Sequence, residues 1–306
     1  MTTEDAPSTA VSVVIPTHLR ADMLTAALEA VIAQLRPPAE IIVVSDAPDP
    51  ATDAAVAAAG TRTSVPVHLV SNSAEPGASG SRNAGARAAS SPVLAFLDDD
   101  DLWTPQHLAQ TLRVLESSAA PLVIAGIEVF NSTSSAPGIQ LAPGVTARDA
   151  AAKAHGVTGS NIVIRSEAFW SVGGFDPALR HLNDRDFFYR CILSGMTYAL
   201  SPVLTTRYRK HESGQLSGAS EGRARGVQAY LTKHRATLTL GDRRKLRYQI
   251  AVMRYRASGP SPRRFRWLGS AALNASYAHQ VQRLWKSATR SNVLSGQAFD
   301  TDATRS

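Results

Sequence analysis

The stretch PVLAFLDDDDLW, residues 92–103, joins a short apolar run to four consecutive aspartates. An apolar run of this length is typical of a buried strand. Adjacent carboxylates repel one another and resist ionising together, so an acidic run at the end of a buried segment needs compensating positive charge. The stretch therefore predicts a strand that carries an acidic cluster to the edge of a sheet, where a divalent cation would balance the charge.

Strands and helices alternate along the chain before this stretch. The predicted strands are residues 11–16, 40–46 and 65–71, and the predicted helices are residues 21–35, 50–59 and, after a glycine-rich turn, 75–89. The first helix has apolar residues at spacings of four, three and four. They are Leu24, Leu28, Val31 and Leu35. This alternation predicts a parallel, doubly wound sheet whose ligand lies beyond the carboxyl ends of the strands.

Polar side chains follow three of the four predicted strands. Thr17 and His18 come after the first strand, Asp46 after the second, and the acidic run after the fourth. Because the carboxyl ends of parallel strands meet at one edge, we expect these groups to form a site there.

After residue 121 the pattern changes to strands and helices around a Ser/Pro/Gly-rich loop, and after residue 220 the chain is Arg-rich and mostly helical. We predict the following organisation. A disordered leader covers 1–10, a main domain covers 11–218 in two halves (11–120 and 121–218), and a basic helical region covers 219–306.

The charge is unevenly distributed. From Val203 onward the chain has 20 of its 32 Lys/Arg residues but only 5 of its 25 Asp/Glu residues. Such asymmetry indicates either an anionic partner or a solvated basic surface. We expect the tail to bind an anionic or lipid-linked acceptor, to contact a membrane peripherally, or to form a homodimer.

No apolar stretch reaches the roughly 20 residues that span a bilayer, and the leader is polar and acidic, so we expect a cytoplasmic location, including the inner face of the membrane. The single cysteine, Cys191, excludes an intrachain disulfide. The basic tail has no zinc pattern or aromatic sheet motif, so we expect no nucleic acid partner.

Seven motifs occur in the order that is found in family-2 glycosyltransferases, which the chain resembles. They are VSVVIPTHLR, EIIVVSDAPD, GASGSRNAGARAA, FLDDDDLWTP, VGGFD, NDRDFFYR and KHESGQLS. The resemblance covers residues 11–217 and implies the A-type nucleotide-diphosphosugar transferase fold. In that α/β, Rossmann-like fold a mixed, mainly parallel sheet is flanked by helices, and here a C-terminal helical extension follows.

The resemblance implies an inverting transfer of sugar from a UDP- or dTDP-sugar to a hydroxyl of a carbohydrate, lipid-linked or small-molecule acceptor. Pro16 and Thr17 would line the nucleotide pocket, and Asp46 would accept a hydrogen bond from the base. Ser45 stands where the family often has another acidic residue. Arg82 would contact the donor, since a guanidinium pairs well with phosphate or with the acidic run.

The acidic run resembles the family's DxD motif. Asp98 and Asp99 would contact the donor, and Asp100, Asp98 and His211 would bind Mn²⁺ or Mg²⁺, because these ions accept oxygen and imidazole ligands. Taken by itself, the run fits equally well an acidic helix start. A phosphatase of the haloacid dehalogenase type also ends a strand with Asp-x-Asp, but Leu102 and Trp103 follow here.

Asp184 matches the family's general base, which takes a proton from the acceptor hydroxyl. Asn183 replaces the acidic residue that usually precedes it. Asp184 and Asp186 are two apart and do not share a helix face, so we expect one of them in the pocket. The alternatives are a helix start capped by Asn183 and Asp186, and a catalytically weakened scaffold or nucleotide-sugar-binding protein.

Overall fold

The computed structural model describes residues 9–72, 75–152, 156–210, 220–259 and 262–275. The chain divides into two compact units, residues 1–211 and residues 212–306. Each unit is described by itself below. Residues 1–8 of the predicted leader and His211 lie outside the described residues.

The amino-terminal part of the first unit is parallel. Its strands are β1 (Val11–Thr17), β2 (Glu40–Ser45), β3 (Val67–Ser71) and β4 (Val93–Phe96), in the order β3-β2-β1-β4. The helices that connect them are α1 (Ala21–Ile32), α2 (Pro50–Gly60) and α3 (Ala78–Ala88). β1 and β2 are buried along their whole length, as continuous apolar strands covered on both faces should be.

The second part of this unit extends the same sheet with mixed strand directions. Its strands are β5 (Leu102–Trp103), β6 (Leu122–Phe130), β7 (Ser135–Pro137), β8 (Ile162–Arg165) and β9 (Tyr198–Arg209). Its helices are α4 (His107–Ser117), α5 (Ala147–Ala152), α6 (Ser166–Ser171) and α7 (Asn183–Leu193). β8 runs antiparallel to both β4 and β6, whereas β6 and β9 are parallel. The sheet is therefore mixed and flanked by helices, and the predicted fold class is confirmed.

The first helix ends earlier than its apolar spacing predicts. Leu24, Leu28 and Val31 are fully buried, but Leu35 lies beyond the end of α1 and is 69% exposed. The side chain of Gln34 donates to the carbonyls of Ala30 and Thr104. These bonds draw the chain out of the helix, so the fourth apolar position never reaches the core.

The second unit is helical in the part that the structure describes. Its helices are α8 (Glu221–Lys233), α9 (Leu240–Ala257) and α10 (Phe265–Asn274). Leu268 and Ala271 of α10 pack with residues of α9, including Ala251 and Val252. Among the described residues, no helix has the length and apolar content that crossing a membrane requires.

Candidate active site

The ends of β1 and β4 meet at one edge of the sheet. Thr17, the last residue of β1, is buried, and its Oγ1 donates to Oδ2 of Asp99 at 2.8 Å. Pro16 is paired with Val44 of β2, and Thr17 with Ser45. The predicted gathering of polar side chains at this edge is thus present for the first and fourth strands.

Asp46 follows β2 and is held on both carboxylate oxygens. Its Oδ2 accepts the backbone N–H of Gly77 at 2.6 Å, and its Oδ1 lies 2.5 Å from Nδ1 of His18. Gly77 has φ +107°, which favours glycine, and it caps the start of α3. The side chain of Asp46 is only 6% exposed, whereas that of His18 is 65% exposed. The sequence predicted His18 among the polar groups at this edge but gave it no specific role.

The four aspartates form a turn, not an extended segment. The N–H of Asp101 donates to the carbonyl of Asp98 at 3.1 Å, which closes the turn, called the acidic turn below (residues 98–101). Asp98, Asp100 and Asp101 each offer an oxygen, and these oxygens all lie within 4.8 Å of one another. Asp99 is outside this group because it bonds to Thr17. An extended strand would place Asp98 and Asp100 on one face and Asp99 and Asp101 on the other. The turn does not show this alternation.

Two arginines balance the acidic turn. Arg82 forms an ion pair with Asp98. Nη1 of Arg20 lies 3.1 Å from Asp100 and 3.4 Å from Asp99. Sequence reasoning identified Arg82 but missed Arg20. Its signal was its place three residues after the end of β1 and directly before α1.

Asp101 joins the acidic turn to the second part of the sheet. It is 1% exposed; its Oδ2 accepts from Oγ of Ser160 at 2.6 Å and its Oδ1 from the N–H of Arg209 at 2.8 Å. Nε of Arg209 also donates to the carbonyl of Asp100 at 2.8 Å. These bonds bring the end of β9 to the turn, and the predicted ligand His211 follows two residues later, outside the described residues.

Burial raises the pKa of two residues of the acidic turn, Asp99 and Asp101. The pKa of Asp99 is raised to about 6, chiefly by burial and also by the negative charges of Asp100 and Asp98, against the lowering effects of the hydrogen bond from Thr17 and the charge of Arg20. Burial likewise raises the pKa of Asp101 well above its usual range, and the charges of Asp98 and Asp100 act in the same direction. A bound cation would reverse this effect.

Arg82 is buried yet incompletely paired. Its side chain is 4% exposed, and its guanidinium lies 5.0 Å from the ring of Phe175. Among the described residues, Nε and Nη1 have no hydrogen-bond partner. A buried guanidinium with free donors is suited to receive an anionic group.

Asp184 lies at the start of α7, in the first helical turn. Burial raises its pKa; the N–H of Arg185 and the positive charge of Arg82 lower it, and the negative charge of Asp98 raises it. Asp184 is therefore within electrostatic reach of both members of the Arg82–Asp98 ion pair. The structure thus links the predicted base to the acidic turn.

Asp186 has a different environment from Asp184. It is fully buried and accepts from Nε of Arg190 at 2.8 Å. Nη2 of Arg190 in turn donates to the carbonyl of Gly174 at 2.6 Å. The residue that caps α7 is Leu182, not Asn183, so the capping arrangement of Asn183 with Asp186 is not formed.

Backbone strain occurs next to both parts of the site. In the described residues, Leu19 (φ +53°) and Leu182 (φ +60°) are the non-glycine residues with positive φ. Leu19 directly precedes Arg20, and Leu182 precedes Asn183 and Asp184. Such strain costs of order 1–3 kcal/mol and is commonly concentrated at functional sites.

Comparisons with known proteins show similarity to glycosyltransferases in sequence and in fold. A sequence model described as Glycosyl transferase family 2 matches residues 12–173. An uncharacterized glycosyltransferase of Haemophilus influenzae is 29% identical over 185 residues, covering 59% of this chain and 61% of the relative. The chain spans between 34% and 61% of the length of the curated relatives that it matches.

Solved structures share the fold at low sequence identity. S. aureus TarS, solved with UDP-GlcNAc, has a TM-score of 0.60 at 13% identity, over 91% of this chain and 92% of that chain. Mannosyltransferase PcManGT of Pyrobaculum calidifontis, solved with GDP-Man and Mn²⁺, has a TM-score of 0.61 at 17% identity, over 93% and 82%. Since the family's sequence model spans more than half of the 306 residues, the chain belongs to glycosyl transferase family 2.

Proposed function

We propose that the protein is a metal-dependent, inverting glycosyltransferase that uses a UDP- or dTDP-sugar. The observation that carries the proposal is the convergence of Asp98, Asp100 and Asp101, with Asp98 paired to Arg82 and Asp184 in reach of both. A cluster of carboxylates, a buried arginine with unpaired donors and a carboxylate with a raised pKa support this proposal.

The residues of the acidic turn fit a hard divalent cation. Three carboxylate oxygens within 4.8 Å of one another are the donor type that Mg²⁺ and Mn²⁺ accept. His211, the metal ligand predicted from the sequence together with Asp98 and Asp100, would come from the chain that follows Arg209. When bound, the cation would neutralise the negative charge that develops on the departing nucleoside diphosphate.

Asp46 would select the base of the donor. Its Oδ2 already accepts the N–H of Gly77, and its Oδ1 would accept the single imino N–H that uracil and thymine offer. His18 would have to give up its contact with that oxygen. The mannosyltransferase with a similar fold is solved with GDP-Man. The preference of this chain for one nucleotide base therefore needs a direct test. Pro16, Thr17 and Asp99 would border the same pocket, on the ribose side.

Asp184 would act as the general base. A carboxylate with a raised pKa holds a proton more readily than an ordinary one, which suits removal of a proton from an acceptor hydroxyl. The acceptor oxygen forms a bond to the anomeric carbon as its proton passes to Asp184. The bond from that carbon to the diphosphate breaks, and its electron pair leaves with the nucleotide, so the configuration inverts. The free donors of Arg82 would meet the diphosphate.

A catalytically weakened, nucleotide-sugar-binding scaffold is the second candidate. The observation that favours it is Asn183, which replaces an acidic residue beside the proposed base. Binding of a donor without release of nucleotide diphosphate, in the presence of Mn²⁺ and a range of acceptors, would identify this alternative.

The experiment that tests the main proposal is a donor screen. Purified full-length protein is incubated with UDP-, dTDP- and GDP-sugars, with and without Mn²⁺, and nucleotide diphosphate release is measured. We expect release from UDP- or dTDP-sugars only when Mn²⁺ is present. Release that is unaffected by chelation would contradict metal dependence, and preference for GDP-sugars would contradict the role of Asp46.

The basic tail is proposed to recruit an anionic or lipid-linked acceptor at the cytoplasmic face of a membrane. Between residues 220 and 275 the chain has 13 Lys/Arg and two Asp/Glu. Phe265 and Leu273 of α10 are 65% and 79% exposed. Basic charge beside exposed apolar side chains favours adsorption to anionic lipid.

Sedimentation with phosphatidylglycerol vesicles and with neutral vesicles tests this proposal. The full chain should sediment with the anionic vesicles only, and a variant that lacks residues 223–306 should remain in solution. Equal sedimentation of both proteins would contradict it. Gel filtration of the same two proteins tests the homodimer, which loss of a dimer peak on truncation would support.

A further inference from the structure

A single buried hydroxyl links two residues of the acidic turn. Ser160 is fully buried, and its Oγ donates to Oδ2 of Asp101 at 2.6 Å. The same Oγ accepts the backbone N–H of Asp98 at 3.1 Å. The hydroxyl therefore joins the backbone at the first residue of the turn to the side chain of its last residue, using both its donor and an acceptor lone pair.

The backbone at Ser160 and the next residue is held by further hydrogen bonds. It lies in a 3₁₀ turn (Gly159–Asn161), and its carbonyl accepts from Nε1 of Trp103 at 2.7 Å. Nδ2 of Asn161 donates to the carbonyl of Ala125 in β6 at 2.8 Å. The backbone around Ser160 is thus bonded to β5 and β6, which fixes the place from which the hydroxyl reaches the acidic turn.

The bond from Ser160 orients Asp101 without blocking it. Each carboxylate oxygen has two lone pairs, so Oδ2 of Asp101 retains one after accepting from Ser160. The bond to the N–H of Asp98 sets where the turn begins. One uncharged side chain therefore contacts two of the three residues whose oxygens approach within 4.8 Å, Asp98 and Asp101.

We propose that Ser160 is a positioning residue for the cation, holding Asp98 and Asp101 at the spacing the ion needs. The inference rests on the proposed metal dependence, because Ser160 acts through the ligands. Outer-shell partners of this kind typically change metal affinity by about 10–100-fold when they are removed.

Ser12 provides a matched control at the other end of the sheet. It is fully buried, its Oγ donates to Oε1 of Glu40 at 2.6 Å, and it accepts the N–H of Ser91 at 3.2 Å. The pattern of one carboxylate acceptor and one backbone donor is the same as for Ser160. Ser12 lies near the start of β1, whereas the site lies beyond the end of that strand.

The test compares Ser160→Ala with Ser12→Ala in the full chain without donor. The dissociation constant of Mn²⁺ is measured from the electron paramagnetic resonance signal of free Mn²⁺, and the midpoint of thermal unfolding is measured for each protein. Both variants should lose thermal stability to a similar extent, since each loses equivalent hydrogen bonds. Only Ser160→Ala should weaken Mn²⁺ binding, by about 10–100-fold.

Unchanged Mn²⁺ affinity in Ser160→Ala, or an equal loss in Ser12→Ala, would overturn the inference and leave the proposed function standing. Absence of Mn²⁺ binding by the unaltered chain would overturn both. If Ser160→Ala fails to fold, Ser160→Cys keeps the shape of the side chain with a somewhat larger atom and a weaker donor, and it should show the same direction of change. Wild-type affinity in that variant would equally contradict the role of Ser160.

Discussion

The acidic turn and the start of α7 both carry closely spaced aspartates, but the two regions use them in opposite ways. In the turn, Asp98, Asp100 and Asp101 converge on one point. On the helix, Asp186 is fully buried in an ion pair with Arg190, whereas Asp184 is close enough to Arg82 for the positive charge of Arg82 to lower its pKa. Residues two apart on a helix face different sides, whereas a tight turn brings neighbouring side chains together. Backbone geometry thus decides whether nearby carboxylates can share a cation or must have separate roles.

Asp184→Asn should have the largest effect on catalysis. An amide cannot accept the proton, so we expect kcat to fall by about 10²–10⁴-fold while donor affinity is retained. Nucleotide diphosphate release and donor binding by calorimetry, measured on the same preparation, check this prediction. Retention of substantial turnover would assign the base elsewhere and weaken the contrast between the two regions.

Asp186→Ala should instead act on stability. It leaves the guanidinium of Arg190 without its buried partner, and breaking a buried pair costs about 3–5 kcal/mol. Urea unfolding should show a loss of this order, while kcat per folded molecule stays within a few-fold of the original. A specific loss of kcat without a loss of stability would exchange the roles assigned to Asp184 and Asp186.

Asp100→Asn should weaken the cation site. It removes one of the three converging carboxylates, so we expect Mn²⁺ affinity to fall by at least about tenfold, the lower limit that outer-shell changes produce. Calorimetric titration with Mn²⁺ measures this change. Asp22→Asn, at an exposed aspartate in the first turn of α1, is the control and should bind as the original does.

The smallest expected effect is a dependence of stability on pH. The pKa of Asp99 is raised from 3.8 to about 6, so the folded state holds this proton more tightly than the unfolded state. The contribution of Asp99 is therefore fully present below about pH 4 and is lost as the pH rises through about 6. We expect the difference in unfolding temperature between Asp99→Asn and the original chain to grow in favour of the variant over that range. A constant difference would show that the carboxyl ionises normally.

Periodicity and motifs gave a good account of local structure. Continuous apolar runs mark strands covered on both faces, and β1, β2 and β4 are buried as their sequences predict. The order of the motifs along the sequence was sufficient to predict the family. The prediction that the first helix extends to Leu35 was wrong: α1 ends at Ile32, and the N–H of Leu35 donates to the carbonyl of Pro105, which is distant in sequence.

Residues that act through distant partners were harder to find. Ser160 lies 59 positions from Asp101, and Arg20 lies 80 positions from Asp100. A serine or an arginine has no fixed role at a given spacing, so only the folded arrangement of strands reveals these contacts. Two pairs of predicted site residues are in contact, Thr17 with Asp99 and Arg82 with Asp98, and their role in a functional site stays a prediction.

The amino-acid sequence by itself determined the alternation of strands and helices, the family, and which acidic residues are candidates, because these depend on local pattern. The tertiary structure decided that residues 98–101 form a turn in which Asp98, Asp100 and Asp101 converge. It also decided that Asp99 accepts a hydrogen bond from Thr17 and that Asp186 forms an ion pair with Arg190. Whether a carboxylate joins others around one cation or pairs with a single arginine depends on the charges that other strands and helices bring near it. Electrostatic interaction depends on distance in space, which local sequence patterns do not contain.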